Sequence, residues 1–108
     1  MKITIEREKW LRGTGEGMLL DPKQKKMCCV GFFALALGYS KKEIEGHGQL
    51  SELSQEKLEG MRWCKSARDK SDLVKLYGAN DTLQTSDAQK EKSIKRLFKR
   101  HKVEVDFV

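Results

Sequence analysis

The stretch from Met27 to Leu37 constrains this chain more than any other, because its eleven residues carry no charge and no strongly polar side chain. Cys28, Cys29, Val30, Phe32, Phe33, Leu35 and Leu37 leave almost no polar face. A helix over about 27–37 is therefore apolar all round and has to be covered on most sides. Gly31, Ala34 and Ala36 are small enough for neighbours to approach closely, and Gly38 suits the position that ends the helix. The run is about half the length that a membrane span requires. It reads as the centre of a core around which the other elements are arranged.

The rest of the chain supplies the cover. Ile3 and Ile5 alternate with polar residues, which predicts a strand over about 2–6. Gly13-Thr14-Gly15-Glu16-Gly17 makes a flexible connection. Met18-Leu19-Leu20 reads as a brief strand at 18–20. Ser40 with Glu43 is a capping box opening a helix over about 40–45. Leu50, Leu53, Leu58 and Met61 suggest a helix over about 51–59. Arg62 to Lys70 is charged and weakly patterned, with Trp63 as its anchor. Leu73 to Tyr77 fits strand or helix; Val74, Tyr77 and the turn signals Gly78 and Asn80-Asp81 favour a strand over 73–77. Ser86 and Gln89 form a second capping box, opening a helix over about 87–100 that feeds a strand over 103–107.

This order describes one α+β domain over 1–108, with a small sheet of two to four short strands packed against helices. The last strand–helix–strand has room for a right-handed parallel crossover. The two terminal strands are placed to pair, which would tie down both ends.

Lys and Arg exceed Asp and Glu by 22 to 16, a formal charge of +6. This favours acidic partners, a nucleic acid, an anionic protein or a nucleotide, although such a charge also serves solubility. The charge concentrates on the last helix. With 100° per residue, Ile94, Leu97, Phe98 and His101 form a buried stripe. Lys92, Lys95, Arg96, Lys99 and Arg100 form a contiguous cationic face opposite, extended by Lys102. Part of this pattern is ordinary helix stabilisation, with Asp87 near the N-terminus and Lys99 and Arg100 near the C-terminus. No aromatic residue is interleaved, so nucleic-acid contact would be mainly to phosphate, weak and salt-dependent.

Other constellations point to no chemistry. Cys28, Cys29 and Cys64 are odd in number, two are adjacent, and with His47 they match no standard zinc spacing. A cysteine nucleophile needs a histidine base, and only His47 and His101 are present. Trp10, Arg12, Gly13, Gly15 and Gly17 make up the one candidate small-ligand loop, with Lys9 nearby. The loop matches neither phosphate-binding glycine pattern. No paired carboxylates, metal site or cofactor are expected. Met1 to Glu6 lacks the apolar region of a signal peptide, so the expectation is a cytoplasmic protein with reduced thiols and no membrane span.

Trp10-Leu11-Arg12-Gly13 followed by Lys26-Met27-Cys28-Cys29-Val30-Gly31-Phe32 resembles the W-x-R-G…M-C-C-L-G-F opening of small uncharacterised bacteriophage and prophage proteins. Asn80-Asp81, the helix from Ser86 to Phe98 and the strand from Val103 to Val108 resemble the N-D…F-x-x-x-G-I-x-V-x-F-V ending of that group. His101-Lys102 stand where that ending often has a glycine, and Gly46 to Lys70 lies outside the resemblance. The resemblance implies a small phage-encoded accessory protein, working in the host cytosol, and no catalytic residues. The expected function is therefore non-enzymatic binding of a host macromolecule. A salt-dependent nucleic-acid module is the alternative, and a nucleotide-sequestering protein or small enzyme the third reading.

Overall fold

The computed structural model describes residues 1–65 and 71–108. Of the charged stretch read from Arg62 to Lys70, residues 66–70 lie outside the described residues. The fold is α+β. Strand β1 (Lys2–Ile5) is followed by helices α1 (Cys29–Ala36), α2 (Lys41–Ile44), α3 (Arg62–Lys65), α4 (Asp72–Asp81) and α5 (Asp87–Lys99), and strand β2 (Glu104–Phe107) closes the chain. β1 and β2 pair in parallel, Lys2 beside Glu104 and Ile5 beside Phe107. The two ends of the chain are thus joined, as the alternating patterns at both termini predict.

α1 sits at the centre. Every residue from Cys29 to Ala34 is buried, as an all-apolar helix requires. A Cβ on Gly31 would run into the Leu19 carbonyl, so glycine lets the preceding chain cross α1 in direct backbone contact. Phe33 packs against Phe98 of α5 with ring centroids 5.2 Å apart. The buried face of the sheet, Ile3, Ile5, Val105 and Phe107, belongs to the same core. Cys28 is the N-cap and Gly38 lies at φ 105°, so α1 starts two residues after Met27 and ends just before its glycine.

Both capping boxes form. Ser40 Oγ accepts from the Glu43 N–H while the Glu43 carboxylate accepts from the Ser40 N–H. Ser86 and Gln89 make the same reciprocal pair. These contacts explain why α2 and α5 begin where they do, since each satisfies two orphan N–H groups.

Three expected elements take another form. Residues 73–77 are helical, inside α4, not a strand. Ser71 Oγ caps the helix by accepting from the Val74 N–H at 3.2 Å, and Leu73, Leu76 and Asn80 recur on one buried face. With 73–77 helical, the parallel partner of β2 is β1, and the short crossover from 73–77 does not exist. The helix over 51–59 is replaced by two 3₁₀ turns, Leu50–Glu52 and Glu56–Leu58. Between them the Gln55 amide donates to the Leu50 and Leu53 carbonyls, satisfying backbone groups that a continuous helix would have used. Residues 18–20 contribute only a single bridge, Leu20 to Glu45. No helix among the described residues is long and apolar enough to cross a membrane.

Candidate functional site

The Trp10, glycine-loop, Cys28-Cys29 and Asn80-Asp81 motifs meet at one buried side chain, Asn80. Its Oδ1 accepts from the Trp10 indole N–H at 2.7 Å and from the Cys29 N–H at 3.0 Å. Its Nδ2 donates to the Leu11 carbonyl at 2.9 Å and to Asp81 Oδ1 at 2.9 Å. The Gly13 N–H donates to the Asn80 carbonyl and the Gly15 N–H to the Asp81 carbonyl. Asn80 is fully buried with all four amide valences used. The tryptophan, the glycine loop, the cysteine pair and the asparagine–aspartate pair are therefore one structural knot. It joins β1's following loop, the start of α1 and the end of α4.

This knot settles the places of the glycine-loop residues. Trp10 is buried, its ring 4.9 Å from that of Phe107. Arg12 is tied to Asp87 at 2.9 Å, donates to the Arg7 and Trp10 carbonyls, and lies over the Trp10 ring. Gly13 and Gly15 hold φ of 67° and 79°, a left-handed conformation that glycine adopts without strain. A Cβ on Gly17 would overlap the Asp81 carboxylate. The loop is shaped by its contacts with Asn80 and Asp81, and the cation expected beside it is bound to an acid of α5.

The cysteines are buried. Burial pushes the Cys28 and Cys64 thiols up to about 12 and raises Cys29 well above its ordinary value. The thiolate, the reactive form, is strongly disfavoured at all three.

The α5 face is different in kind. Ile94, Leu97 and Phe98 are buried as the periodicity predicts, while Lys92, Lys95, Arg96, Lys99 and Arg100 are exposed. The helix's own acids are consumed from outside it. Glu91 takes a bidentate pair from Arg7 at 2.9 and 2.7 Å, and Asp87 takes Arg12. These contacts hold both carboxyls below the usual carboxylate range. Arg100 reaches Asp72 at 3.4 Å. Lys92, Lys95, Arg96 and Lys99 have no carboxylate partner among the described residues. Lys90, one turn before Ile94, falls on the buried side of the helix. It is buried, and its ammonium donates to the Thr85 carbonyl at 2.5 Å.

One feature beside this face escaped the sequence. The Trp63 indole stacks on the His101 imidazole at 4.1 Å and 11°, and His101 Nε2 contacts Asp72 Oδ2 at 2.7 Å. The hydrogen bond from His101, then the Arg100 charge, holds the Asp72 carboxyl below its ordinary value. Trp63, Arg100, His101 and Lys102 border a shallow cavity of about 300 Å³. An aromatic pair thus stands at the C-terminal end of the cationic stripe, brought there from a segment with no local sequence signal.

No protein-family model, curated protein or solved structure matches this chain.

Proposed function

We propose that this protein is a non-enzymatic binding module, a small accessory protein of bacteriophage or prophage type, that docks an acidic surface of a host macromolecule on the exposed face of α5. The observation that carries this reading is the separation of charges on α5. Its acids are paired with Arg7 and Arg12 from the N-terminal segment, which leaves Lys92, Lys95, Arg96 and Lys99 in one unneutralised row. At 1.5 Å rise per residue the row is about 10 Å long. It stands on a helix fixed at both ends, by a capping box and by the strand that follows. The phage-type resemblance of both chain ends supports the origin and agrees with a role without catalysis.

The test is affinity capture from bacterial lysate, repeated with the purified captured protein. The expected result is one acidic partner, held at about 50 mM salt and released progressively as screening increases. Absence of any specific partner at low salt would overturn the reading.

A second reading, nucleic-acid binding, is favoured by the Trp63–His101 stack beside Arg100 and Lys102, since an aromatic group next to a cationic row suits unpaired bases. Fluorescence anisotropy with labelled single-stranded DNA and RNA separates the two. Binding at about 50 mM salt that weakens steeply by about 200 mM supports nucleic acid, and no binding at about 50 mM retires it.

A further inference from the structure

A cleft that the acidic-partner reading does not use lies off α5, none of whose residues line it. It has a volume of about 730 Å³ and lies between α4, the Leu50–Glu52 turn and the chain that leaves α4. A second cavity of about 320 Å³ continues it toward the glycine loop, sharing Gly15, Gln49, Tyr77 and Asp81. The volume falls within the range of small-molecule sites. Leu73, Val74 and Leu83 are apolar residues of its lining. Ser51, Thr82 and Gln84 are polar residues of the same lining.

The described residues around this cleft run against the charge of the protein. In a chain of net charge +6, no Lys, Arg or His lines either cavity among the described residues. Asp81 is common to both, and Glu16 and Glu52 border the smaller one. Asp81 is half-buried. Its carboxylate accepts from Asn80 Nδ2 at 2.9 Å and has no cationic partner among the described residues. Burial raises its pKa, against hydrogen bonds from Asn80 and Gly17 that lower it.

Gly78 gives an independent sign that this space is kept open. It lies within α4 and lines the cleft. Its φ is not positive, and a Cβ there would meet nothing within 4 Å. Neither backbone conformation nor packing calls for glycine, and glycine in a helix interior costs about 1 kcal/mol against alanine. What glycine does at this position is leave the cleft wall bare.

We propose that this cleft binds a small organic cation, its ammonium on the Asp81 carboxylate and its apolar body against Leu73, Val74 and Leu83. Phosphate-bearing ligands are the wrong sign for it, so the glycine loop serves a cation site and not a phosphate site.

The test is an amide-resolved NMR titration of the intact protein with phenethylamine, with 2-phenylethanol and phenylacetate as neutral and anionic counterparts. Phenethylamine up to about 10 mM, the range for a fragment-sized ligand, is expected to shift the amides of Gly15, Gly78 and Thr82. Phenylacetate is expected to leave them in place and 2-phenylethanol to bind at least about tenfold more weakly, the worth of a charge-assisted hydrogen bond. Asp81→Asn should weaken phenethylamine by a similar factor. Gly78→Leu puts a side chain into the cleft one turn from Asp81 without altering charge and suits a helix, so it keeps the fold and should abolish the shifts at Gly15 and Thr82. Equal binding of the three compounds, no shifts with phenethylamine, or shifts that survive Gly78→Leu would each overturn the proposal.

Discussion

Replacing Asn80 by alanine tests whether the signature residues are a folding device. The substitution removes the acceptor of the Trp10 N–H and Cys29 N–H and the donor to the Leu11 carbonyl. No buried side-chain polar atom among the described residues lacks a partner, so the variant creates vacancies that the native protein does not have. Each buried group left without a partner costs about 1–3 kcal/mol. Water entering the space of the lost amide offsets part of this. The expected loss is about 3–5 kcal/mol, a large part of the roughly 5–15 kcal/mol that holds such a domain together. In urea, with a slope near 2 kcal/mol/M, the midpoint should fall by about 2 M, read by far-ultraviolet circular dichroism. Trp10→Phe removes a single donor, leaves Cys29 on Oδ1, and should cost about 1–2 kcal/mol. The double variant should cost less than the sum by at least about 0.5 kcal/mol, because the two side chains share one hydrogen bond. A loss under about 1 kcal/mol for Asn80→Ala, or strict additivity, refutes the reasoning.

Gly31→Ala should cost about 2–3 kcal/mol in the same urea experiment, because its methyl meets the Leu19 backbone and neither α1 nor the buried 18–20 segment can yield without moving the core; a neutral effect contradicts the close crossing. Asp72, Asp87 and Glu91 have folded-state pKa values depressed by His101, Arg12 and Arg7. Such groups stabilise the fold above their unfolded values near 4, and that stabilisation is lost as pH falls through the folded ones. The urea midpoint should therefore drop below about pH 4, less steeply in Asp72→Asn, and an identical acid limb in that variant counts against the Asp72–His101 contact. The three thiols should react with a disulfide reagent only at the rate of unfolding, accelerating with urea; immediate labelling of any of them in the native protein contradicts their burial.

The sequence carried the parts of the fold that announce themselves locally. Ser40/Glu43 and Ser86/Gln89 fix helix starts by adjacent atoms. Ile94, Leu97 and Phe98 mark a face by spacing, and Ile3, Ile5, Val105 and Phe107 by alternation. α4 was legible as well, in Ser71 and in the recurrence of Leu73, Leu76 and Asn80. β-favouring Val74 and Tyr77 outweigh those signals when only five residues are weighed, and Asn80-Asp81 reads as a turn although it is the helix end. The site depended on contacts between distant segments. Asn80 looks like an ordinary turn residue until Trp10 and Cys29 reach it from 70 and 51 positions away. The same holds for Arg7 and Arg12. Their pairing with Glu91 and Asp87 turns a mixed helix into a cationic row, and no periodicity within α5 reveals it. Lys90, one turn before Ile94, falls on the buried face by its spacing and serves Thr85 inside the fold.

The most direct measurement compares two charge reversals in binding to the purified captured partner. Lys92→Glu, Arg96→Glu and Lys99→Glu together remove six charges and bring the formal net charge from +6 to 0. Lys23→Glu, Lys41→Glu and Lys42→Glu do the same away from α5. All six positions are exposed, so both variants should stay near wild-type stability. The α5 triple should lose binding by about a hundredfold or more, as expected for docking on a charged face, while the control triple loses no more than a few-fold. Equal losses in the two variants, or retained binding in the α5 triple, would contradict a function carried by that face.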